Sequence, residues 1–275
     1  MKGKIERILK DLGLEIYGFC RFSDVGELLP TRNRSTIPEK AATVITLLFP
    51  YRIPINEKRN VSLYAVGLDY HDIILKKLSA AKEKLSIEFP NNNFAAFSDN
   101  SPIREARAAY LSGLGFLGQN SLIIHPQYGS YCFIGEIVCD LELEEYSQPL
   151  GYCKKCGKCI SDCLGGALCT QNGEVVFKKE NCLSFLTQKK GELTDTQKEK
   201  IKKGGLVWGC DACSDVCPMN SGADYSNIED FYASTMPYLD ENNVSLSTDR
   251  AYGYKGEKIL LRNLGILSEK GGNNN

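Results

Sequence analysis

Nine of the twelve cysteines in this chain fall between residues 153 and 217, which concentrates thiol chemistry in one short region. The first four of them have the spacing C-x2-C-x2-C-x3-C, which directs three thiolates to one iron-sulfur cube and the fourth to a neighbouring cube. A second group reads C-x2-C-x3-C-P and ends at Pro218, with Cys182 upstream of it. The two motifs therefore predict eight thiolate ligands and two 4Fe-4S clusters.

The crossover of ligands between the two motifs predicts how the eight cysteines divide. One cluster takes Cys153, Cys156, Cys159 and Cys217, and the other takes Cys163, Cys182, Cys210 and Cys213. The alternative is a pair of structural zinc sites, since C-x2-C pairs also bind zinc. Leu164 replaces the proline that usually follows the last cysteine of the first motif. The remaining cysteines stand outside this count: Cys169, and the three in apolar segments, Cys20, Cys132 and Cys139, where cysteine is a small buried hydrophobe.

Composition favours a globular protein, because 43% of the 275 residues are hydrophobic and 24% are charged. The first residues, MKGKIERILKDLG, have the apolar spacing of an amphipathic helix and not of a signal sequence. We therefore expect a cytoplasmic protein with no membrane segment, whose thiols are reduced and available as metal ligands. The net charge of -1 excludes a global attraction to nucleic acid.

The part of the chain that precedes the cysteine motifs shows patterns typical of strands and helices. The run ATVITLLF reads as a buried strand, and residues 71–88 have apolar side chains at helical spacing. Ser101 and Pro102 predict the start of a helix and Gly113 its end. After it, SLIIH and YCFIGEIVCD read as two strands around the turn PQYG.

This alternation predicts an α+β or α/β fold in three parts. Residues 1–150 would form a larger first domain, residues 151–220 a double-cluster ferredoxin-like domain, and residues 221–275 a short extension. Two adjacent clusters pass single electrons, and a ferredoxin alone needs only part of this chain. We therefore expect the first domain to receive the electrons.

The run SDNSPIREARAAYLSGLGFLGQNSLIIHPQYGSYCFIGEIVCDLEL, followed by NCLSFLT and WGCDACSDVCPMN, resembles the epoxyqueuosine reductases. Together with the earlier SLYAVGLDYHDIILKKL, the resemblance covers about residues 40–220. It implies an N-terminal α/β domain that binds base-off cobalamin beside the double-cluster domain. It also implies a reaction in which the epoxide oxygen of a modified guanine analogue in the tRNA anticodon leaves as water, with two electrons and two protons consumed.

The resemblance implies that Asp99 is the proton donor. An oxygen expelled from an epoxide needs a proton, and a partly buried carboxylic acid with a raised pKa can supply one. The alternative is that Asp99 caps a helix beginning near Pro102, where the helix dipole would lower its pKa. The two interpretations require opposite pKa shifts.

Cobalamin contacts are also implied by the resemblance. In the first domain they are Asn120, Ser121, Ile123, Phe133 and Ile134. From the cluster side they are Ser184 and Asp211. The alternative for each is a place in a sheet core or turn. His71 nearly completes the cobalamin-ligating pattern D-x-H-x-x-G, but Ile74 replaces the glycine, so we interpret it as a surface or packing histidine.

Several departures from the family pattern weaken the tRNA prediction. Residues 116–120 read FLGQN where the family commonly has WIGKN, and Leu63, Val66 and Leu68 stand where it has arginines. A glycine-histidine-glycine-methionine loop is absent, and Met219 replaces a tryptophan. We expect a short member without the helical repeats that follow an Arg-Asn pair, here Arg262 and Asn263. The lysine-rich run at 189–203 is more typical of a solvated helix face than of an RNA contact.

The sequence therefore predicts a cobalamin- and iron-sulfur-dependent reductase of epoxyqueuosine in tRNA that draws on an external low-potential electron donor. A second possibility retains the cofactors and changes the substrate to a small epoxide or organohalide. A third is a non-enzymatic electron-transfer protein whose first domain docks a partner.

Overall fold

The computed structural model describes residues 1–246 and 248–269. It divides into two compact units. The first comprises Met1–Pro50, His71–Lys154 and Gly222–Ser226, and the second comprises Tyr51–Tyr70, Lys155–Ser221 and the chain from Asn227 onward. The ranges 1–150, 151–220 and 221–275 are functional assignments and stay a prediction.

Nine helices and strands position the side chains of the first unit. In chain order they are α1 (Lys2–Asp11), β1 (Tyr17–Arg21), β2 (Thr43–Pro50), α2 (Tyr70–Glu88), β3 (Phe94–Ser98), α3 (Glu105–Leu111), β4 (Phe116–Leu117), β5 (Ile123–Ile124) and β6 (Cys132–Cys139). The main sheet has the order β1-β2-β6-β3, and each of its three pairings is antiparallel. The predicted mixture of helices and strands is confirmed, and antiparallel pairing makes the fold α+β and not α/β.

Strand β2 is buried throughout and β6 from Gly135 onward, because a helix covers each face of the sheet. All eight residues of β2 are buried. On one face α2 packs so closely that a Cβ at Gly135 would lie 2.9 Å from Leu78, which explains the missing side chain there. On the other face Ala108 of α3 joins a buried cluster with Val44 and Val138.

Two local predictions differ from the structure. Helix α3 begins at Glu105, three residues after the predicted start, because the hydroxyl of Ser101 accepts a hydrogen bond from the amide of Ile103 at 3.1 Å and does not cap the helix. The two predicted strands exist, but they do not pair with each other: β5 pairs with β4, and β6 joins the main sheet.

The second unit consists mainly of short helices. It contains α4 (Lys158–Ser161), β7 (Leu168–Gln171), β8 (Glu174–Phe177), α5 (Leu183–Gln188), α6 (Asp195–Gly204), α7 (Ala212–Asp215) and α8 (Glu257–Ser268). Trp208 and Tyr252 are fully buried at the centre of its larger core cluster. Helix α6 begins with a capping box between Thr194 and Gln197. In the ranges that the structure describes, no helix has the length and apolarity needed to cross a bilayer.

Candidate functional site

Four predicted cluster ligands lie together in the second unit. The thiols of Cys210 and Cys213 are both within electrostatic range of Cys163 and Cys182. Burial, with the neighbouring charges adding to it, raises the pKa of Cys210 to about 11 and that of Cys213 to about 12. At these pKa values the thiols of Cys210 and Cys213 keep their protons at neutral pH, and they ligate as thiolates when a metal centre such as an iron-sulfur cube compensates their charge.

A glycine allows two of these cysteines to approach. A Cβ at Gly165 would collide with the carbonyl oxygen of Asn181, so a residue without a side chain lets the segment before Cys182 lie against the segment after Cys163. The sulfur of Cys163 also accepts hydrogen bonds from the amides of residues 167 and 168, at 3.2 and 3.3 Å. Such N–H donors stabilise a ligating thiolate and tune the reduction potential of a cluster.

The other predicted ligand set is more exposed to solvent. Cys156 is exposed, whereas Cys153, Cys159 and Cys217 are half-buried. Among the described residues, no three His, Cys, Asp or Glu side chains are grouped to hold one metal ion. The division of the eight cysteines between two clusters stays a prediction. Cys169, outside both sets, lies on β7.

Asp99 directly follows β3 and pairs with a histidine. Its Oδ2 lies 3.3 Å from Nε2 of His71, which belongs to the first turn of α2, and its side chain is 59% exposed. Asp99 and Asn100 have φ angles of 56° and 50°, a left-handed conformation that Asp and Asn tolerate better than most residues. The interpretation of His71 as a surface or packing residue did not anticipate this ion pair.

The pKa of Asp99 shifts in the direction that the capping interpretation requires, but the cause is its contact with His71 and not a helix end. The hydrogen bond from His71 lowers its pKa, and burial opposes that shift only in part. The expected raised pKa is therefore wrong for this structure. The capping interpretation is also wrong, because Arg104 occupies the N-cap position of α3. Asp99 is a carboxylate at neutral pH and acts as an acid only after it has taken up a proton.

Three of the expected cobalamin contacts line one open cleft of about 300 Å³ in the first unit, namely Ser121, Ile123 and Ile134. Arg104 and Glu105 line the same cleft. Its other lining residues are Ala106, Leu122, Ser130 and Cys132.

The other two expected contacts of the first unit do not line this cleft. Phe133 precedes Ile134 on β6, and successive side chains of a strand point to opposite faces of the sheet. Asn120 is 7% exposed, and its side-chain oxygen accepts a hydrogen bond from the amide of Leu122 at 3.4 Å.

The two expected contacts from the cluster side are engaged inside the second unit. The carboxylate of Asp211 accepts hydrogen bonds from Arg59 at 2.5 Å, from the hydroxyl of Ser62 at 2.5 Å and from the amide of Leu63 at 2.9 Å. These bonds attach the cysteine segment 210–217 to the chain at 59–63. The hydroxyl of Ser184 lies 3.4 Å from the side-chain nitrogen of Gln188.

Comparison with known proteins agrees with this combination of sites. The family described as "Epoxyqueuosine reductase QueG, DUF1730" matches residues 32–100, and the 4Fe-4S double cluster binding domain matches residues 152–220. An epoxyqueuosine reductase of Lactococcus garvieae is 28% identical over 96% of this chain and 85% of its own length. That of Bacillus anthracis is 33% identical over 68% of this chain and 50% of its own length. The chain thus spans about half of some of these relatives.

A solved structure gives the same result. The epoxyqueuosine reductase of Streptococcus thermophilus matches 97% of this chain and 80% of its own chain, with a TM-score of 0.79 and 25% identity. This chain belongs to the epoxyqueuosine reductase family. The match to the double-cluster family identifies the cysteine-rich region as an iron-sulfur domain and favours this interpretation over a pair of zinc sites.

The Arg-Asn pair noted as a family feature stabilises the second unit of this family member. Asn263 is fully buried and donates to the carbonyl oxygens of Thr187 and Val207, both at 2.8 Å. Arg262 donates to the carbonyl oxygens of residues 189 and 191. The pair holds α8 against the segments that flank the cluster cysteines.

The basic face of α6 is largely neutralised by its neighbours. Lys198 lies 3.3 Å from Asp195, and Lys202 lies 3.6 Å from Glu269. Lys200 donates to the side chain of residue 181 at 3.0 Å. These contacts fit a solvated helix face, as the sequence indicated.

Sequence reasoning missed two acidic residues of this reductase-family chain. Glu136 is fully buried on β6, and Glu105 begins α3 beside the cleft. The sequence could have indicated that Glu136 is a buried carboxyl group, because it is the one charged residue within the apolar run YCFIGEIVC. No sequence pattern distinguished Glu105 from an ordinary acidic residue in the first turn of a helix.

Proposed function

We propose that this protein is a cobalamin- and iron-sulfur-dependent reductase that converts epoxyqueuosine in tRNA to queuosine. The observation that carries the proposal is the Asp99–His71 pair, in the unit whose cleft is lined by Ser121, Ile123 and Ile134. Glu105 connects the two features, because it lines the cleft and is affected by the charge of Asp99. Family membership and the double-cluster domain support the same reaction.

The residues present fit the cofactors that the reaction requires. Eight thiols match the ligand demand of two cubes, and two backbone amides already donate to one of those sulfurs. The cleft combines apolar strand side chains with hydroxyl groups and Arg104, which suits part of the amide-fringed edge of a corrin ring. When bound and reduced, cobalamin supplies a strongly nucleophilic cobalt centre, and the clusters supply single electrons.

The protein's own residues then supply positions and protons. Asp99 delivers a proton to the departing epoxide oxygen, and His71 holds the carboxylate in place and returns a proton to it. Ser121, Ile123 and Ile134 would contact the cofactor. Removal of the oxygen as water consumes two electrons and two protons, so one protonated carboxyl group does not complete a turnover.

tRNA is the proposed substrate carrier, and an external low-potential protein is the proposed electron donor. Three of the four lysines of α6, namely Lys198, Lys200 and Lys202, are paired with acidic or amide groups, which favours other surfaces for RNA recognition. Steep salt dependence of tRNA binding would reveal the phosphate contacts involved.

Anaerobic reconstitution with iron, sulfide and cobalamin, followed by reaction with epoxyqueuosine-containing tRNA, tests the proposal. Queuosine is measured by mass spectrometry, with Asp99→Asn as the test variant and the exposed Asp72→Asn as its matched control. We expect queuosine from the parent and the control and at least a hundredfold loss in Asp99→Asn. A parent that binds cobalamin, reduces both clusters and forms no queuosine would refute the substrate assignment.

A further inference from the structure

A fully buried carboxyl group lies in the middle of the main sheet. Glu136 is 0% exposed on β6, opposite Thr46 of β2 and Phe97 of β3. The hydroxyl of Ser101 donates to Oε2 of Glu136 in a very short hydrogen bond. Its Oε1 is buried, and no group in the described residues forms a hydrogen bond with it. An ionised carboxylate in such a place is strongly disfavoured.

A second carboxyl group lines the cleft and is affected by the charge of this buried glutamate. Glu105 starts α3, and its Oε1 is also buried without a hydrogen-bond partner in the part of the chain that is described. Burial raises the pKa of Glu105 first, and the negative charges of Glu136 and Asp99 raise it further, while His71 opposes them. Burial also raises the pKa of Glu136, to about 7.

The cationic groups near the two glutamates compensate them only in part: His71 opposes the rise in the pKa of Glu105, and Arg104, which lines the same cleft, is exposed to solvent. Glu136 faces the hydroxyl of Ser101 and influences the thiol of Cys20 on β1. The nearby guanidinium of Arg107 donates to the backbone oxygen of Asp24 instead. Glu136 is fully buried, and Glu105 is half-buried with its Oε1 out of contact with water. Simultaneous ionisation of two neighbouring carboxyl groups in such places is strongly disfavoured, so at rest the pair retains one proton.

The proposed reaction creates a use for such a proton. Asp99 is a carboxylate at rest and must be protonated before each transfer to the epoxide oxygen. Each turnover needs two protons, and the Asp99–His71 pair is exposed enough to lose protons to solvent. A proton held nearby in a buried site would supply Asp99 without waiting for a hydronium ion.

We propose that Glu105 and Glu136 share a stored proton and that Glu105 passes it to the Asp99–His71 pair. In this step an O–H bond of Glu105 breaks and an O–H bond of Asp99 forms, with no change in oxidation state. Because the pKa of Glu105 is raised and that of Asp99 is lowered, this transfer is uphill, and it is completed when Asp99 passes the proton to the departing epoxide oxygen, which is a far stronger base than either carboxylate. The doubly ionised pair then takes a proton from water in the cleft, which Glu105 lines. Glu105 and Glu136 act through Asp99 and are positioning residues. This role rests on the proposed function, whereas the stored proton does not.

Infrared spectroscopy of the full chain with both clusters loaded and without cobalamin tests the stored proton directly. The carbonyl-stretch band of a protonated carboxylic acid should persist at neutral pH in the parent and in the exposed control Glu142→Gln. It should vanish or weaken in Glu105→Gln and Glu136→Gln. Asp99→Asn should lower the pH at which the band disappears, because one negative charge facing Glu105 is removed.

Turnover measurements test the transfer. We expect Glu105→Gln to lower kcat about tenfold or more on the alkaline side of the pH profile, with little change in KM and partial rescue in Glu105→Asp. A missing band, a band insensitive to Asp99→Asn, or an unchanged pH profile in active Glu105→Gln would each overturn the proposal. A parent that forms no queuosine would refute the proposed function, and the band and its response to Asp99→Asn would still decide the inference.

Discussion

The substitution Glu136→Gln should make the stability of the first unit much less dependent on pH. The carboxyl group of Glu136 is fully buried, and its pKa is raised from an ordinary 4.5 to about 7. The folded chain therefore binds a proton more tightly than the unfolded chain does. This contribution to stability is complete below pH 4.5 and is lost as the pH rises through about 7.

The magnitude follows from the interval between the two pKa values. A tenfold difference in proton affinity corresponds to about 1.4 kcal/mol, so raising the pH from about 5 to about 8 should destabilise the parent by about 2 to 3 kcal/mol relative to Glu136→Gln. Glutamine preserves the shape and an acceptor for Ser101, and it carries no charge to bury. The negative charge that raises the pKa of Glu105 also disappears in this variant.

Hydrogen exchange of the amides of β6, measured by mass spectrometry, is the appropriate assay because it reports on opening of the first unit alone. Comparison of parent and variant at the same pH cancels the intrinsic exchange rate. The ratio of parent to variant rates should rise on the order of fiftyfold between about pH 5 and about pH 8. For the exposed control Glu142→Gln, the ratio of parent to variant exchange rates should stay near one at both pH values. A ratio for Glu136→Gln that does not change with pH would refute the reasoning.

Three further substitutions test the second unit. Asp211→Asn removes one of the two carboxylate partners of Arg59, the other being Asp215, and weakens the bonds from Ser62 and Leu63; it should destabilise the unit by about 2 kcal/mol and speed cluster loss to a chelator, measured by the visible absorbance of the clusters. Asn263→Ala leaves two buried carbonyl groups unsatisfied and should cost about 2 to 4 kcal/mol in urea unfolding followed by Trp208 fluorescence. Gly165→Ala should force Asn181 away and remove about half of the bound iron, since one of two clusters loses its ligand geometry.

Exposed residues provide matched controls for these three substitutions. Asp195→Asn alters a side chain that is 98% exposed, Asn242→Ala an exposed amide, and Gly222→Ala a position with open space for a Cβ. Each should change stability by no more than about 0.5 kcal/mol and leave the iron content intact. Equal effects in a test variant and its control would contradict the contact assigned to that residue.

The cysteine spacing was sufficient to predict the iron-sulfur domain, because ligands supplied by one short segment are constrained mainly by sequence separation. The resemblance to the family was likewise readable from ordered local motifs, and the comparisons confirm it. The mixture of helices and strands followed from hydrophobic periodicity. Strand order and direction did not, because pairing depends on contacts between segments far apart in the chain.

The charge states of the site were decided by the tertiary structure alone. A sequence shows that Asp99, His71, Glu105 and Glu136 are titratable, but their pKa values depend on burial and on which charges meet. The fold brings α2 to the end of β3, so that His71 lowers the pKa of Asp99. It also buries Glu136 completely in the main sheet, and this burial raises the pKa there. Sequence determined which groups this protein has for proton and metal chemistry, and packing decided which of them hold a proton, because electrostatic free energies depend on distance and solvent exposure.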